Sequence, residues 1–148
     1  MSCRLATPAD LEDCLAFEWT RGRDDLAWHV AGGLLFLAER DGAVVGYARI
    51  ESFWKAMPYL ALITVAPAVR GTGIGSELLA FVCTQLRERG HTYLLSSTTG
   101  GETGPERWHA RNGFAQVGTL AGLNDDGVDE RFWRRPLNGE VRPRGIPG

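Results

Sequence analysis

Apolar and polar positions change period several times along this chain, and each change marks an element. The stretch from Cys3 to Ala6 reads as a short strand. Thr7-Pro8-Ala9-Asp10 then supplies a capping-box pattern with proline at the first helical position, and Leu11, Cys14 and Leu15 share one face of the helix it opens. A second short helix is expected from Asp24 to Val30, ended by Gly32-Gly33. The period then falls to that of strands. Leu34 to Ala38 and Ala43 to Ile50 flank Asp41-Gly42, a strong hairpin signal, so two antiparallel strands are predicted.

The run from Tyr59 to Val65 is apolar throughout, as expected of a central strand covered on both faces, and it ends near Pro67. From Ile74 the positions Leu78, Leu79, Val82 and Leu86 recur at helical spacing, with Gly90 as the stop. Tyr93 to Ser96 is predicted as a strand and Pro105 to Asn112 as a short helix closed by Gly113. Phe114 to Leu120 and Arg131 to Leu137 are predicted as two further strands about the polar turn Asn124-Asp125-Asp126-Gly127.

Composition narrows the possibilities. A chain of 148 residues with 44% hydrophobic and 23% charged residues fits one domain, residues 1–137, and the Gly-, Pro- and Arg-rich stretch 138–148 reads as a loosely held tail. A formal charge of -2 gives no basic field, so a nucleic-acid partner is not expected and a small-molecule partner is favoured. Cys3, Cys14 and Cys83 have no metal-type spacing and no disulfide arithmetic, which implies no metal site and a reducing, cytoplasmic setting. No signal pattern and no membrane-length apolar run is visible, so no membrane association is expected.

The chemistry concentrates in Val65-Ala66-Pro67-Ala68-Val69-Arg70-Gly71-Thr72-Gly73-Ile74-Gly75-Ser76, which leads from the buried strand into the amphipathic helix. Glycines let a backbone turn tightly and present successive N–H groups, and a helix start adds unpaired amides and a positive dipole end. Such a turn binds phosphate; the alternative is a strand-to-helix loop that merely needs conformational freedom. A P-loop is excluded because no lysine follows the glycines, and a dinucleotide-binding fold because the preceding strands form a hairpin.

Arg70-Gly71-x-Gly73-Ile74-Gly75 after Val65-x-Pro67 resembles the acetyl-CoA-binding motif of the GNAT superfamily of N-acetyltransferases. Glu106 to Phe114 is similar to that family's short helix ending in Gly-Phe, and the order of elements matches from Cys3 to Leu137. The resemblance implies an α/β (α+β) single-domain fold. Its mixed central sheet of about six to seven strands, splayed at the middle, is flanked by about four helices. It further implies acetyl-CoA as cofactor, with the pantetheine arm between the strand ending at Val65 and the strand ending near Ser96. Main-chain groups of Ile63, Thr64 and Val65 would pair with pantetheine amides. Amides of Arg70, Gly71, Thr72, Gly73, Ile74, Gly75 and Ser76 would hold the pyrophosphate.

Acetyl transfer to an amine needs a neutral nucleophile, a donor to the tetrahedral oxyanion, and a proton for a departing thiolate of pKa ~8.5. The family comparison implies a main-chain N–H near Val65 for the oxyanion. Where many members carry a tyrosine acid, four residues before the Gly of Gly-Phe, this chain has His109, either a donor or a spectator packed beside CoA. An asparagine usual seven residues earlier is replaced by Glu102. Glu51, sharing a strand face with Tyr47 and Arg49, is expected to hold a cationic amine or take its proton, or to be a surface carboxylate paired with Arg49 or Lys55. Asp129 and Glu130 are weaker candidates for the same work. Trp28, Trp54 and Tyr59 are expected to line the substrate pocket, His29 to be structural or exposed, and Trp19 and Trp133 to be core or interface aromatics.

The leading expectation is an N-acetyltransferase acting on a primary amine of a small molecule or protein. The rival is a CoA-binding regulatory module that has lost catalysis, which the missing tyrosine favours. A longer acyl-CoA as donor and a homodimer are both left open.

Overall fold

The computed structural model describes residues 1–137; the tail expected from residue 138 lies outside the described residues. Its strands are β1 (Ser2–Leu5), β2 (Leu35–Arg40), β3 (Ala43–Phe53), β4 (Met57–Val65), β5 (Tyr93–Thr99), β6 (Ala115–Leu120) and β7 (Glu130–Pro136). Its helices are α1 (Leu11–Phe17), α2 (Arg23–Ala31), α3 (Ile74–Glu88) and α4 (Thr103–Arg111), and short 3-10 turns occupy Pro8–Asp10 and Pro67–Val69. The strands form one mixed, unclosed sheet in the order β1-β2-β3-β4-β5-β7-β6. Antiparallel neighbours dominate, and β4 and β5 run parallel at Tyr59↔Leu95 and Leu60↔Ser96.

The chain folds as two compact units. One comprises Met1–Glu51 with Ala61–Thr84, the other Ser52–Leu60 with the chain from Gln85 onward. In the first unit, β2 alternates between two buried faces. Leu35 and Leu37 join Cys14, Leu26 and Tyr47 in one cluster, while the Phe36 ring meets Phe81 of α3 edge-on at 6.2 Å. Leu35 to Ala38 are all fully buried, which explains why this strand reads as an unbroken apolar run. The turn between β2 and β3 puts Asp41 at φ 52° and Gly42 at φ 78°, the hairpin geometry that the Asp-Gly pair predicts.

The predicted capping box forms with an extra partner. The Thr7 N–H donates to Asp10 Oδ2 at 2.7 Å, and Arg4 donates to both oxygens of the same carboxylate at 2.7 and 2.8 Å. The bidentate guanidinium holds the Asp10 carboxyl well below the usual carboxylate range, aided by the Thr7 amide. The element so capped is a 3-10 turn that passes into α1, because Asp10 itself takes helical angles.

In the second unit, β5 pairs with β7 from Tyr93↔Pro136 to Thr99↔Glu130. Strand β6 pairs with β7 from Ala115↔Arg134 to Leu120↔Glu130, with a register shift between Gln116 and Gly118. Leu94, Phe114, Trp133 and Leu137 are buried here. Trp19 corrects the expectation of a core aromatic: it lies just beyond α1 and is 80% exposed.

Helix α3 seats its N-terminal half against β2 and β3 through a backbone position with no room to spare. A Cβ on Gly46 would stand 3.0 Å from the Ala38 Cβ and 3.4 Å from side-chain carbons of Ile74 and Leu78. Gly46→Val is therefore expected to destabilise the fold by roughly 1–3 kcal/mol, measured as a drop in the urea midpoint at unchanged slope.

Candidate functional site

The glycine-rich turn lies in the first unit, between β4 and α3. Ala66 N–H closes onto Val45 O at 2.8 Å, and a 3-10 turn over Pro67–Val69 swings the chain out of the sheet. Gly71 and Gly73 then take φ 78° and 87°, left-handed values that an L-side chain adopts only at a cost. No atom lies within 4 Å of where a Cβ would sit on either, so the outer side of the turn is open. The first bond into the helix is Glu77 N–H to Gly73 O at 3.1 Å. The amides of Ile74, Gly75 and Ser76 therefore precede the helical ladder and lack partners within it. Thr72 Oγ1 ties back to Val69 O at 2.5 Å, and Arg70 Nε donates to Val65 O at 3.0 Å. An exposed turn of this shape at the start of a 15-residue helix fits a diphosphate held by main-chain donors. Ile63, Thr64 and Val65 lead directly into it along β4.

The second group lies on the β3 face, also in the first unit. Alternation puts Tyr47, Arg49 and Glu51 on one side, as predicted. Arg49 is only 5% exposed. Its Nε donates to Glu18 Oε1 at 2.7 Å, its Nη2 to Glu18 Oε2 at 3.3 Å, and its Nη1 to Glu51 Oε2. Burial opposes the guanidinium charge, but the hydrogen bonds and charge of Glu18, with Glu51, outweigh it and hold Arg49 above its ordinary pKa. Tyr47 OH also donates to Glu18 Oε1, at 2.7 Å, and its ring stacks on Phe17 at 5.7 Å. Burial, reinforced by the Glu18 carboxylate, pushes the Tyr47 phenol well above its usual range.

Glu51 does not stand free. Besides Arg49, it receives His29 Nε2 at 2.8 Å and lies 3.6 Å from Arg21 Nη2. His29 is 3% exposed, and its Nδ1 meets the Asp25 carbonyl oxygen at 2.8 Å. A carbonyl and a carboxylate are both acceptors, so both contacts need a hydrogen. The arrangement is an imidazolium–carboxylate pair, or its neutral form with the proton on Glu51. Trp28, expected in a pocket, is 65% exposed and meets the His29 ring edge-on at 5.0 Å.

The third group lies in the second unit around His109, which is 6% exposed. Its Nδ1 meets the Pro105 carbonyl oxygen at 2.7 Å and its Nε2 meets Ser96 Oγ at 2.7 Å. The carbonyl fixes the proton on Nδ1, and Nε2 then accepts from the Ser96 hydroxyl. Phe114 and Trp133 pack on the ring with centroids at 4.9 and 5.7 Å. Burial lowers the imidazole pKa, and the Pro105 contact offsets this only in part. His109 is thus a neutral acceptor in this setting.

Tyr59 and Trp54 are also in the second unit. Tyr59 OH meets Ser97 Oγ at 2.6 Å, and its ring packs against Phe53 and Phe132 at 5.9 and 6.4 Å. Trp54 is 71% exposed in the turn between β3 and β4, with Lys55 Nζ 4.6 Å from its ring centroid. Residues that sequence reasoning passed over are Glu18, His29, Ser96 and Ser97. Each acts through a partner distant in the chain, and a lone Ser or Glu carries no periodic signal of such a contact.

Among the described residues, no three His, Cys, Asp or Glu side chains are grouped as a metal site, and no helix is long and apolar enough to cross a membrane.

A model of the acetyltransferase (GNAT) family matches residues 6–114. Among solved structures, the chain is similar to ribosomal-protein-alanine N-acetyltransferase from Brucella melitensis, with 28% identity and a TM-score of 0.80 over 92% of this chain and 99% of that one. A putative acetyltransferase, YncA, from Salmonella typhimurium, solved with acetyl-CoA, gives a TM-score of 0.79 at 20% identity over 97% and 98% of the two chains. An N-acetyltransferase from Staphylococcus aureus Mu50 gives 0.79 at 24% identity over 92% and 98%. No curated protein matches the sequence.

Two outcomes follow from the buried charges. Glu18→Gln leaves Arg49 short of a carboxylate in a buried site and is expected to destabilise the fold by about 3–5 kcal/mol, read by denaturant unfolding. His109 has a folded pKa below its unfolded value of about 6.5, so the unfolded chain binds the extra proton first as pH falls. Its contribution is complete above pH ~6.5 and is lost on acidification toward the folded pKa. His109→Gln is expected to flatten the dependence of melting temperature on pH in that window.

Proposed function

Because the chain belongs to the acetyltransferase (GNAT) family, we propose that it transfers the acetyl group of acetyl-CoA to a primary amine of a small molecule or protein, by direct attack through a tetrahedral intermediate. The observation that carries this reading is the open glycine turn at the start of α3, with Gly71 and Gly73 both left-handed. Acetyl-CoA supplies the activated acyl group. The chain supplies main-chain donors: Arg70 to Ser76 for the pyrophosphate, and Ile63 to Val65 for the pantetheine amides. An amide near Val65 supplies the donor to the oxyanion. The Brucella relative is named for an alanine amino group of ribosomal protein, which supports an amine acceptor.

Within this reading His109 is the acid candidate and Glu51 the base candidate, and their contacts set a condition on each. His109 commits its ring proton to Pro105 O, so it must take up a second proton before giving one to the thiolate. Glu51 must release one of Arg49, His29 or Arg21 before it can receive a proton. These same contacts favour a second reading, a CoA-binding regulatory module with little or no catalysis.

Free-thiol release from acetyl-CoA with a panel of primary amines separates the two. Release above the hydrolytic background supports the enzyme; tight binding without release supports the module. In either case Gly73→Val is expected to weaken acetyl-CoA binding on the order of tenfold or more by calorimetry. The left-handed angle costs an L-residue about 1–2 kcal/mol, and the turn relaxes away from the shape that presents its amides. Unchanged affinity would show that the turn does not hold the cofactor.

A further inference from the structure

The second unit contains a chain of hydroxyl contacts that ends on a carboxylate. Ser97 Oγ donates to Glu130 Oε2 at 2.5 Å, and Asn124 Nδ2 donates to the other oxygen, Glu130 Oε1, at 3.2 Å. The carboxylate can only accept, so the Ser97 hydrogen points toward it. Tyr59 OH, 2.6 Å from Ser97 Oγ, must then be the donor in that contact. All hydrogens in the series point one way, from Tyr59 through Ser97 to Glu130, and the lone pairs of the Tyr59 oxygen are left to accept a hydrogen from a further group.

Beside this series lies a groove of about 290 Å³ lined by Phe53, Leu95, Leu120 and Phe132 with the backbone turn at Val117 and Gly118. The two are contiguous. The Tyr59 ring packs on Phe53 and Phe132, both groove residues, and Leu120 is the register partner of Glu130. An apolar wall next to an anionic chain end is complementary to a molecule with an apolar body and a basic nitrogen.

We propose that this site is the acceptor side of the transfer: the groove takes the apolar substituent of a primary amine, and the amine proton passes through Tyr59 and Ser97 to Glu130. The assignment rests on the acetyltransferase reading and names its acceptor class. Tyr59 is the catalytic residue in contact with the nitrogen, and Ser97 and Glu130 act through it. As the neutral amine attacks the thioester carbon, a C–N bond forms and the C–S bond breaks, its electron pair leaving on sulfur. The nitrogen's surplus proton moves to the Tyr59 oxygen, the phenolic proton to Ser97 Oγ, and the seryl proton to Glu130. Glu130 then returns a proton to solvent, and the thiolate takes one up.

The charged groups near Glu130 are already engaged. Asp129 Oδ1 accepts from the Gly122 N–H at 2.9 Å, and Arg131 is paired with Glu106 of α4 at 2.7 Å. Tyr59 is bounded by Phe53 and Phe132. The pH response of the relay is therefore assigned to Glu130 and the amine.

The test measures thiol release with acetyl-CoA and three acceptors: 2-phenylethylamine, the peptide Ala-Phe-amide, and ethanolamine. Wild-type kcat/KM is expected to be at least about tenfold higher for one or both aryl-bearing amines than for ethanolamine, and the better of the two tells a free amine from a peptide terminus. Leu120→Arg should abolish that preference. Tyr59→Phe, Ser97→Ala and Glu130→Gln should each lower kcat on the order of a hundredfold near pH 7, with the KM for acetyl-CoA within about twofold. That loss should shrink at alkaline pH, where solvent base substitutes. Ser97→Thr, which keeps the hydroxyl, should restore the rate and show that the loss is not a folding defect. Equal rates on all three acceptors, variants within twofold of wild type, or losses independent of pH would overturn the assignment while leaving the acetyltransferase reading intact. A wild type that releases no thiol with any amine would overturn both.

Discussion

The left-handed backbone at Gly71 and Gly73 is the constraint on which the proposed site depends. A strand that ends at Val65 and a helix that begins at Ile74 are joined by a turn too tight for ordinary φ angles, and only glycine takes those angles without cost. The turn stays in place because α3 is anchored immediately after it. Ile74, Leu78, Leu79 and Val82 are buried, and the close approach at Gly46 brings Ile74 and Leu78 against the sheet. An anchored helix start next to a strained, open turn presents amides in a fixed direction. Main-chain donors organised this way need no lysine or arginine, which suits a chain with a net charge of -2.

A different economy governs the β3 face. Arg49 is buried, and a buried guanidinium is tolerated only when its donors are met by acceptors of good geometry. Glu18 at the end of α1 and Glu51 two residues along β3 supply them, while His29 from α2 reaches Glu51. Two helices and a strand are thus cross-linked through polar atoms, and the pattern fixes the angles at which α1 and α2 meet the strand within the first unit. Engagement of Glu51 in this lattice is also why a free carboxylate for acceptor chemistry is better sought elsewhere.

Much of this was legible in the sequence where one residue's role follows from its neighbours. The Asp41-Gly42 hairpin, the α3 face, the apolar β4 and the glycine turn all appear near their expected positions, because period and turn chemistry are local properties. The expectation of a mixed sheet with four flanking helices also holds, since it rested on the order of those elements. Boundaries moved where long-range pairing decides them. Strand β3 runs on to Phe53, past the expected Ile50, and β5 runs on to Thr99, past Ser96, because partner strands continue alongside. Helix α4 starts at Thr103, so Pro105 lies inside its first turn, where its missing N–H costs nothing. The exposed Trp28 and Trp54 show the limit from the other side: aromatic identity alone does not say which way a ring faces.

The two buried histidines carry the point furthest. Each gives its Nδ1 hydrogen to a carbonyl four residues back in its own helix, His29 to Asp25 and His109 to Pro105. The helix therefore fixes the same tautomer in both, and the difference between them lies entirely in what faces Nε2. For His29 it is a carboxylate, which demands a second proton at the contact; for His109 it is a serine hydroxyl, which supplies its own. One ring is thereby drawn into an ion pair, and the other is held neutral among Trp108, Phe114 and Trp133. Spacing along the chain is identical in the two cases and says nothing of charge. The chemistry of a buried imidazole is decided by the residue that the fold, and not the sequence neighbourhood, sets against its outer nitrogen.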